Sequence, residues 1–151
     1  WETAPHISCV IAGAEMPDRI TRLAAGPNVE VIGAVPDLAD VLDRVRLTVA
    51  PLRYGAGVKG KVLDSLAAGV PCIMTPIAAE GLDLPEALSG LIADTGADIA
   101  ARIIQLHKTR RLHAAAARYG KAYIQDHYTE SCVDECLRSA VTPAARRQSA
   151  G

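Results

Sequence analysis

Aromatic side chains are scarce: 3% of 151 residues, with four Tyr, one Trp and no Phe. The core must therefore be built from Val, Ile, Leu and Ala, and exposed ring platforms for single-stranded nucleic acid are not expected. An excess of one charge is also lacking. Sixteen Lys and Arg stand against 17 Asp and Glu, a formal net charge of -1, so nucleic acid and anionic membranes are not expected as general partners. No apolar run approaches the roughly 18 residues that signal a membrane span, and no secretory leader is visible. No Asp-x-Asp pair occurs, and no zinc spacing either. Cys132 and Cys136 stand four apart on one face of any helix they share, but no second pair of Cys or His matches them. No metal is expected. Cys9 and Cys72 lie in apolar runs and read as buried, inert thiols of a reduced cytoplasmic protein. His6, His107, His113 and His127 are scattered without a nucleophile or carboxylate motif, and read as structural or exposed.

What is present is an ordinary globular composition, 50% apolar and 22% charged, in a chain long enough for one domain with a core. Short apolar runs at 6–13, 29–33, 46–52, 71–75 and 90–94 read as strands. They alternate with helical patterns at 17–25, 37–44, 58–68, 97–107, 111–127 and 130–138. Pro17 opens the first helix, Asp37 caps the second, and Gly69 followed by Pro71 closes the third. Alternation of this kind predicts a doubly wound α/β fold, a parallel sheet covered by helices on both faces. Strands apolar throughout fit burial on both sides. Ligands of such sheets bind at the carboxyl ends of strands, so the loops beginning at Gly13, Gly33, Leu52, Thr75 and Asp94 are the places to look. Residues 139–151 are small and polar and read as a flexible tail.

The stretch from Ala50 to Asp64 carries the chemistry: strand, glycine turn, helix. Gly55 and Gly57 allow positive φ and close approach of backbone to a ligand. The helix that follows points its free N–H groups and positive dipole end at that ligand. A phosphate is the natural occupant, and Arg53 and Lys59 flank the turn with donors for charge-assisted hydrogen bonds. The loop is not a Walker loop, because Gly-x4-Gly-Lys-Ser/Thr is absent, nor does Gly60 complete a dinucleotide fingerprint. Taken alone, a tight turn with solvated lysines explains the same residues.

The wider pattern is more specific. Pro51-Leu52-Arg53-Tyr54-Gly55-Ala56-Gly57-Val58-Lys59-Gly60-Lys61 runs on through Asp64, Ala68-Gly69-Val70-Pro71 and Thr75 to Ala79-Glu80-Gly81-Leu82. It closely resembles the donor-binding signature of family 4-like (group 1) glycosyltransferases of the GT-B fold, specific from Pro51 to Leu82 and weak elsewhere between Ser8 and His127. His127-Tyr128-Thr129-Glu130-Ser131 resembles the family's element near its C-terminus, where the last helix often crosses back to the first lobe. The resemblance implies a C-terminal, nucleotide-sugar-binding lobe. In it Lys59 and Arg53 hold the diphosphate leaving group and Asp64 takes the ribose hydroxyls. The loop with Gly33 and Val35 lines the base, and Thr75, Glu80 and Gly81 face the sugar and diphosphate. No cofactor is implied beyond the nucleoside-diphosphate sugar itself.

Two positions depart from the family pattern. Ala56 stands where a first acid often touches the donor sugar, and Asp64 stands where Glu is usual. The chain also opens at Trp1-Glu2-Thr3 without Met, and lacks the strand with which the family's lobe begins. Residues 1–138 are accordingly expected to be an N-terminally truncated donor lobe. Its acceptor, a glycan, lipid or small molecule, would be held by an absent first lobe. Arg110, Arg111, Arg118 and Lys121 make a late helix basic; a solvated face is the plainer reading, peripheral membrane contact the sharper one. Two alternatives stand beside the transferase: a non-catalytic α/β module binding a nucleotide or structural anion, and a nucleotide-sugar 2-epimerase-like lobe.

Overall fold

A computed structural model describes residues 4–141. The chain divides into two compact units, Trp1–Val45 and Arg46–Gly151. The fold is mixed α/β with parallel strands, the class the alternation predicts.

In the first unit, β1 (Cys9–Ala12) pairs in parallel with β2 (Val29–Gly33), with a register shift between Ile11 and Ala12. Between them the expected helix is broken into α1 (Asp18–Thr21) and a 3-10 turn (Arg22–Ala25). The Gly26 N–H bonds the Leu23 carbonyl at 2.9 Å, so the end of the segment tightens instead of continuing, as a segment too short to propagate a helix does. Asp37, expected as the cap, lies one residue before the N-cap Leu38, its Oδ1 accepting the Ala39 N–H at 2.8 Å. However, α2 spans only Ala39–Leu42 and does not reach Arg44, because Arg44 and Val45 take i→i+3 bonds to Val41 and Leu42. Among the described residues of this unit only Ala4 and Leu42 are buried apolar side chains. That thin packing corrects the expectation for Cys9, which is half-buried.

The second unit runs β3 (Thr48–Ala50), α3 (Gly60–Ala68), β4 (Cys72–Met74), α4 (Pro76–Ala79), α5 (Glu86–Ser89), α6 (Gly96–Lys108), α7 (Arg110–His127) and α8 (Glu130–Val141). Strands β3 and β4 are parallel, Thr48 opposite Cys72 and Ala50 opposite Met74. The strand expected at 90–94 contracts to one parallel bridge, Met74 to Ile92, with Met74 N–H on the Leu91 carbonyl and Ala93 N–H on the Met74 carbonyl, both at 2.9 Å. Each unit thus holds one parallel two-stranded ladder. Only β4, flanked on both edges, is buried along its whole length; β1, β2 and β3 are partly exposed, contrary to burial of every strand.

Helices α3 and α6 pack on β4, and α7 packs against α3 and α6. The core joins Val62 and Leu66 of α3, Ile73 and Met74 of β4, Leu82, Leu88 and Leu91, and Ala116 and Tyr123 of α7. Gly120 permits the close approach of α7: a Cβ there would lie 3.0 Å from Leu66 Cδ2. Helix α3 ends as its sequence predicts, on Gly69 in the left-handed region at φ 77°. Beneath it the fully buried Ser65 hydroxyl donates to the Val70 carbonyl at 2.8 Å and meets Thr48 Oγ1 at 2.6 Å. Cys72, buried in β4, has its thiol pushed up to about 11 by desolvation. Helix α8 has no buried residue and runs to Val141, into the segment expected as a tail; 142–151 lie outside the described residues.

Gly120→Ala is expected to lower unfolding stability by about 1–3 kcal/mol through overpacking against Leu66, read by urea denaturation. Burial keeps Cys72 protonated in the fold while the unfolded thiol ionises at its ordinary value of 9.0. The unfolded state therefore binds fewer protons above that pH, and stability falls as pH rises from about 9 towards about 11. Cys72→Ala flattens that slope in urea melts taken across the same range.

Candidate functional site

Parallel pairing makes β3 and β4 finish at the same end of their ladder. The two loops that follow, 51–59 and 75–85, therefore leave from one edge, where sheets of this kind hold ligands. The first is the glycine loop. Gly55 has φ 146° and Gly57 φ 76°, values that a side chain at either position would resist. Arg53 and Tyr54 are exposed, Tyr54 by 87%.

The loop delivers the chain to α3 at Lys59, which sits at the N-cap with φ -91° and ψ 84°. The Lys59 carbonyl accepts the Val62 and Leu63 N–H groups at 2.8 and 3.3 Å. No side chain caps this helix, whereas Thr95 caps α6 and Thr75 caps α4. The Lys59 ammonium folds back and donates to the Gly57 carbonyl. Cation, turn backbone and helix N-terminus thus converge within five residues. Lys61 and Asp64, three apart on α3, are exposed, while Val62, Ser65 and Leu66 face the core. Asp64 consequently stands one helical turn beyond the start of the helix, on its outer side.

The second loop opens at Thr75, which is only 7% exposed. Its hydroxyl donates to the Leu52 carbonyl at 2.7 Å and accepts the Ala78 N–H at 3.3 Å, and its own N–H donates to the Ala50 carbonyl at 3.2 Å. The family resemblance implies a ligand-facing Thr75; the structure commits its hydroxyl to stitching the two loops together. After α4, Ala79-Glu80-Gly81-Leu82 closes a β-turn through Leu82 N–H on the Ala79 carbonyl at 3.1 Å. Glu80 at φ -58°, ψ 128° and Gly81 at φ 77° are the angles of a type II turn, which requires the glycine. Both tip residues are exposed.

A residue that sequence reasoning missed holds the far side of this turn. Tyr123 of α7, 4% exposed, donates its hydroxyl proton to the Leu82 carbonyl. The only sequence signal was the rarity of tyrosine in this chain. Gly33, with φ 69°, and Val35 belong to the first unit, at and just beyond the end of β2. His113 Nε2 meets the Arg46 carbonyl at 2.6 Å, and the His127 ring lies 5.1 Å from that of Tyr123; both are structural contacts. Among the described residues, no group of three or more His, Cys, Asp or Glu side chains could hold a metal ion.

The sequence matches the family described as glycosyl transferases group 1 over residues 2–109. The chain belongs to that family. Its fold resembles three solved structures. TarM is 18% identical with a TM-score of 0.77, over 93% of this chain and 30% of that one. WaaG, a glycosyltransferase involved in lipopolysaccharide biosynthesis, is 15% identical with a TM-score of 0.69, over 91% of this chain and 38% of that one. Anabaena HepE in complex with UDP-glucose is 13% identical with a TM-score of 0.73, over 90% of this chain and 41% of that one. The chain thus spans well under half the length of each. No curated protein matches it.

Thr75→Val removes the donor to Leu52 while keeping the shape of the side chain. It is expected to destabilise the second unit by about 1–3 kcal/mol, the cost of a part-buried carbonyl left unpaired, measured by thermal unfolding. Gly81→Ala should cost about 1 kcal/mol by straining the turn at positive φ.

Proposed function

We propose that this group 1 family member is the donor-binding lobe of a glycosyltransferase, taking a nucleoside-diphosphate sugar at the carboxyl edge of β3 and β4. The observation that carries this reading is the glycine loop. Positive φ at Gly55 and Gly57 leads into a nine-residue helix with no side-chain cap, and Lys59 stands at its N-cap. This arrangement is suited to a diphosphate. The N–H groups of the first turn can donate to its oxygens, and Lys59 and Arg53 can supply charge-assisted bonds. When the bond to the sugar breaks, negative charge grows on the departing diphosphate. Donors already fixed in place stabilise that charge without reorganising, so the reading calls on no metal and no further cofactor.

Asp64, one turn into α3 on its exposed side, would accept hydrogen bonds from the ribose hydroxyls. Gly33 and Val35 are assigned to the base, and Glu80 and Gly81 to the sugar. Thr75 is assigned to the sugar and diphosphate side with them, and its hydroxyl also supports the two loops. The acceptor would be a glycan, lipid or small molecule held by a further lobe of a longer protein. Partial coverage of the solved neighbours supports this, and one of them carries UDP-glucose. Hexosyl transfer in the cytoplasm is the form of the proposal; the four free thiols are at home in a reducing compartment. No helix of the described residues is long and apolar enough to cross a membrane. Arg110, Arg111, Arg118 and Lys121 stay exposed along α7. A solvated face accounts for them, and membrane contact of the whole protein is a secondary proposal.

Calorimetric titration with UDP, GDP and ADP tests the reading. One of them is expected to bind selectively, and Lys59→Ala to weaken it by about tenfold or more, the worth of one charge-assisted bond. Asp64→Ala should weaken it less, and should leave inorganic pyrophosphate unaffected. Absence of binding by the folded chain, or binding indifferent to Lys59, would favour the inert α/β module instead.

A further inference from the structure

The Glu80–Gly81 turn has no disulfide, metal or long helix to hold it, and α4 before it is four residues long. Its fixed points are nevertheless continuous. At one end Thr75 joins α4 to the glycine loop through the Leu52 carbonyl. In the middle the Ala79 N–H bonds the Thr75 carbonyl at 3.0 Å, and Leu82 N–H closes the turn on Ala79. At the other end the Leu82 side chain is 1% exposed, and its carbonyl takes the proton of Tyr123.

Tyr123 is itself supported. Its oxygen lies 3.3 Å from the Tyr128 hydroxyl, and the two rings meet edge to face at 5.6 Å. A carbonyl can only accept, so the single proton of Tyr123 goes chiefly to Leu82, with the Tyr128 oxygen as a second, more distant acceptor. Tyr128 thus braces the Tyr123 ring and hydroxyl, while Tyr123 holds Leu82. Burial, together with Tyr128 and Asp83, pushes Tyr123 well above the ordinary phenol range, so its proton stays available at any working pH.

We infer that Tyr123, backed by Tyr128, is a positioning residue for the donor site: it anchors Leu82 from α7 and so sets the height and tilt of the Glu80–Gly81 turn against the bound sugar. This goes beyond the family match, which ends at residue 109, before either tyrosine. It rests on the donor-binding reading above. A ring that only filled the core would need no hydroxyl, since Phe packs equally well there. The bond to Leu82 reaches a backbone atom two residues from Glu80 and one from Gly81. Its loss frees the turn more than the core.

The test is calorimetry on the folded chain with matched pairs, UDP with UDP-glucose, GDP with GDP-mannose and ADP with ADP-glucose, using wild type, Lys59→Ala, Tyr123→Phe and Tyr128→Phe, beside thermal melts. Lys59→Ala is expected to weaken both members of the binding pair. Tyr123→Phe is expected to weaken the nucleotide sugar about tenfold, one hydrogen bond's worth of positioning, and the bare nucleotide about twofold. Tyr128→Phe should shift the same ratio in the same direction, by less. A general loss of stability would lower both members alike, so the ratio is what separates positioning from packing. Failure of wild type to bind any pair, or indifference to Lys59→Ala, would defeat the donor-site reading and this inference with it. With Lys59→Ala weakened but the ratio unchanged in Tyr123→Phe, the inference alone is overturned. If Tyr123→Phe does not fold, the ratio in Tyr128→Phe decides in the same way.

Discussion

Two three-residue strands, paired in parallel, organise everything that could bind a ligand in the second unit. Parallel neighbours cannot be joined by a tight hairpin; they need a crossover, and here α3 supplies it. The crossover brings β4 back beside β3 so that both finish at one edge. Thr75 makes that edge a single object. Its N–H, its hydroxyl oxygen and its hydroxyl proton each go to a different part of it: the end of β3, the first turn of α4 and the start of the glycine loop. Without those bonds the two loops would be neighbours in topology only.

The chemistry placed on this edge is asymmetric. The glycine loop contributes backbone and positive charge, from Arg53, Lys59, Lys61 and the helix end. The facing turn contributes a carboxylate, Glu80, on a backbone conformation that only glycine accepts readily at its second corner. The proposed donor would match this asymmetry, its diphosphate on the first side and its sugar hydroxyls on the second. The Lys59 ammonium rests on the Gly57 carbonyl of its own loop. An incoming phosphate offers it a better partner, since a bond to an ionised acceptor is roughly twice as strong as one to a neutral carbonyl. Behind the edge, buried hydroxyls do the holding: Ser65 under the end of α3, Tyr123 under the turn.

Features written in local conformation were legible in the sequence. Gly55, Gly57 and Gly69 take the positive φ for which glycine is chosen, and the helices centred on α3, α6 and α7 fall within two residues of their expected ends. The family signature lies in the same stretch, which is why Arg53, Lys59 and Asp64 stand out from residue order alone. What depends on distant partners was not legible. The Thr75 hydroxyl bonds a carbonyl 23 residues away, and nothing in its own loop signals that partner. Tyr123 acts on Leu82 from 41 residues downstream, and nothing local to either residue announces it. The strand at 90–94 had the right composition but shrank to one bridge, because strand length is set by what lies alongside. The same holds for Cys9, whose apolar run is only half covered.

The central claim is that the glycine loop and the start of α3 hold the diphosphate of a nucleotide. Amide NMR of the chain titrated with UDP, GDP and ADP addresses it residue by residue. The account predicts that the binding nucleotide moves the amides of Gly55, Gly57, Gly60 and Lys61 most, with smaller shifts at Glu80 and Gly81. Shifts centred elsewhere, or none at saturating nucleotide, would contradict it.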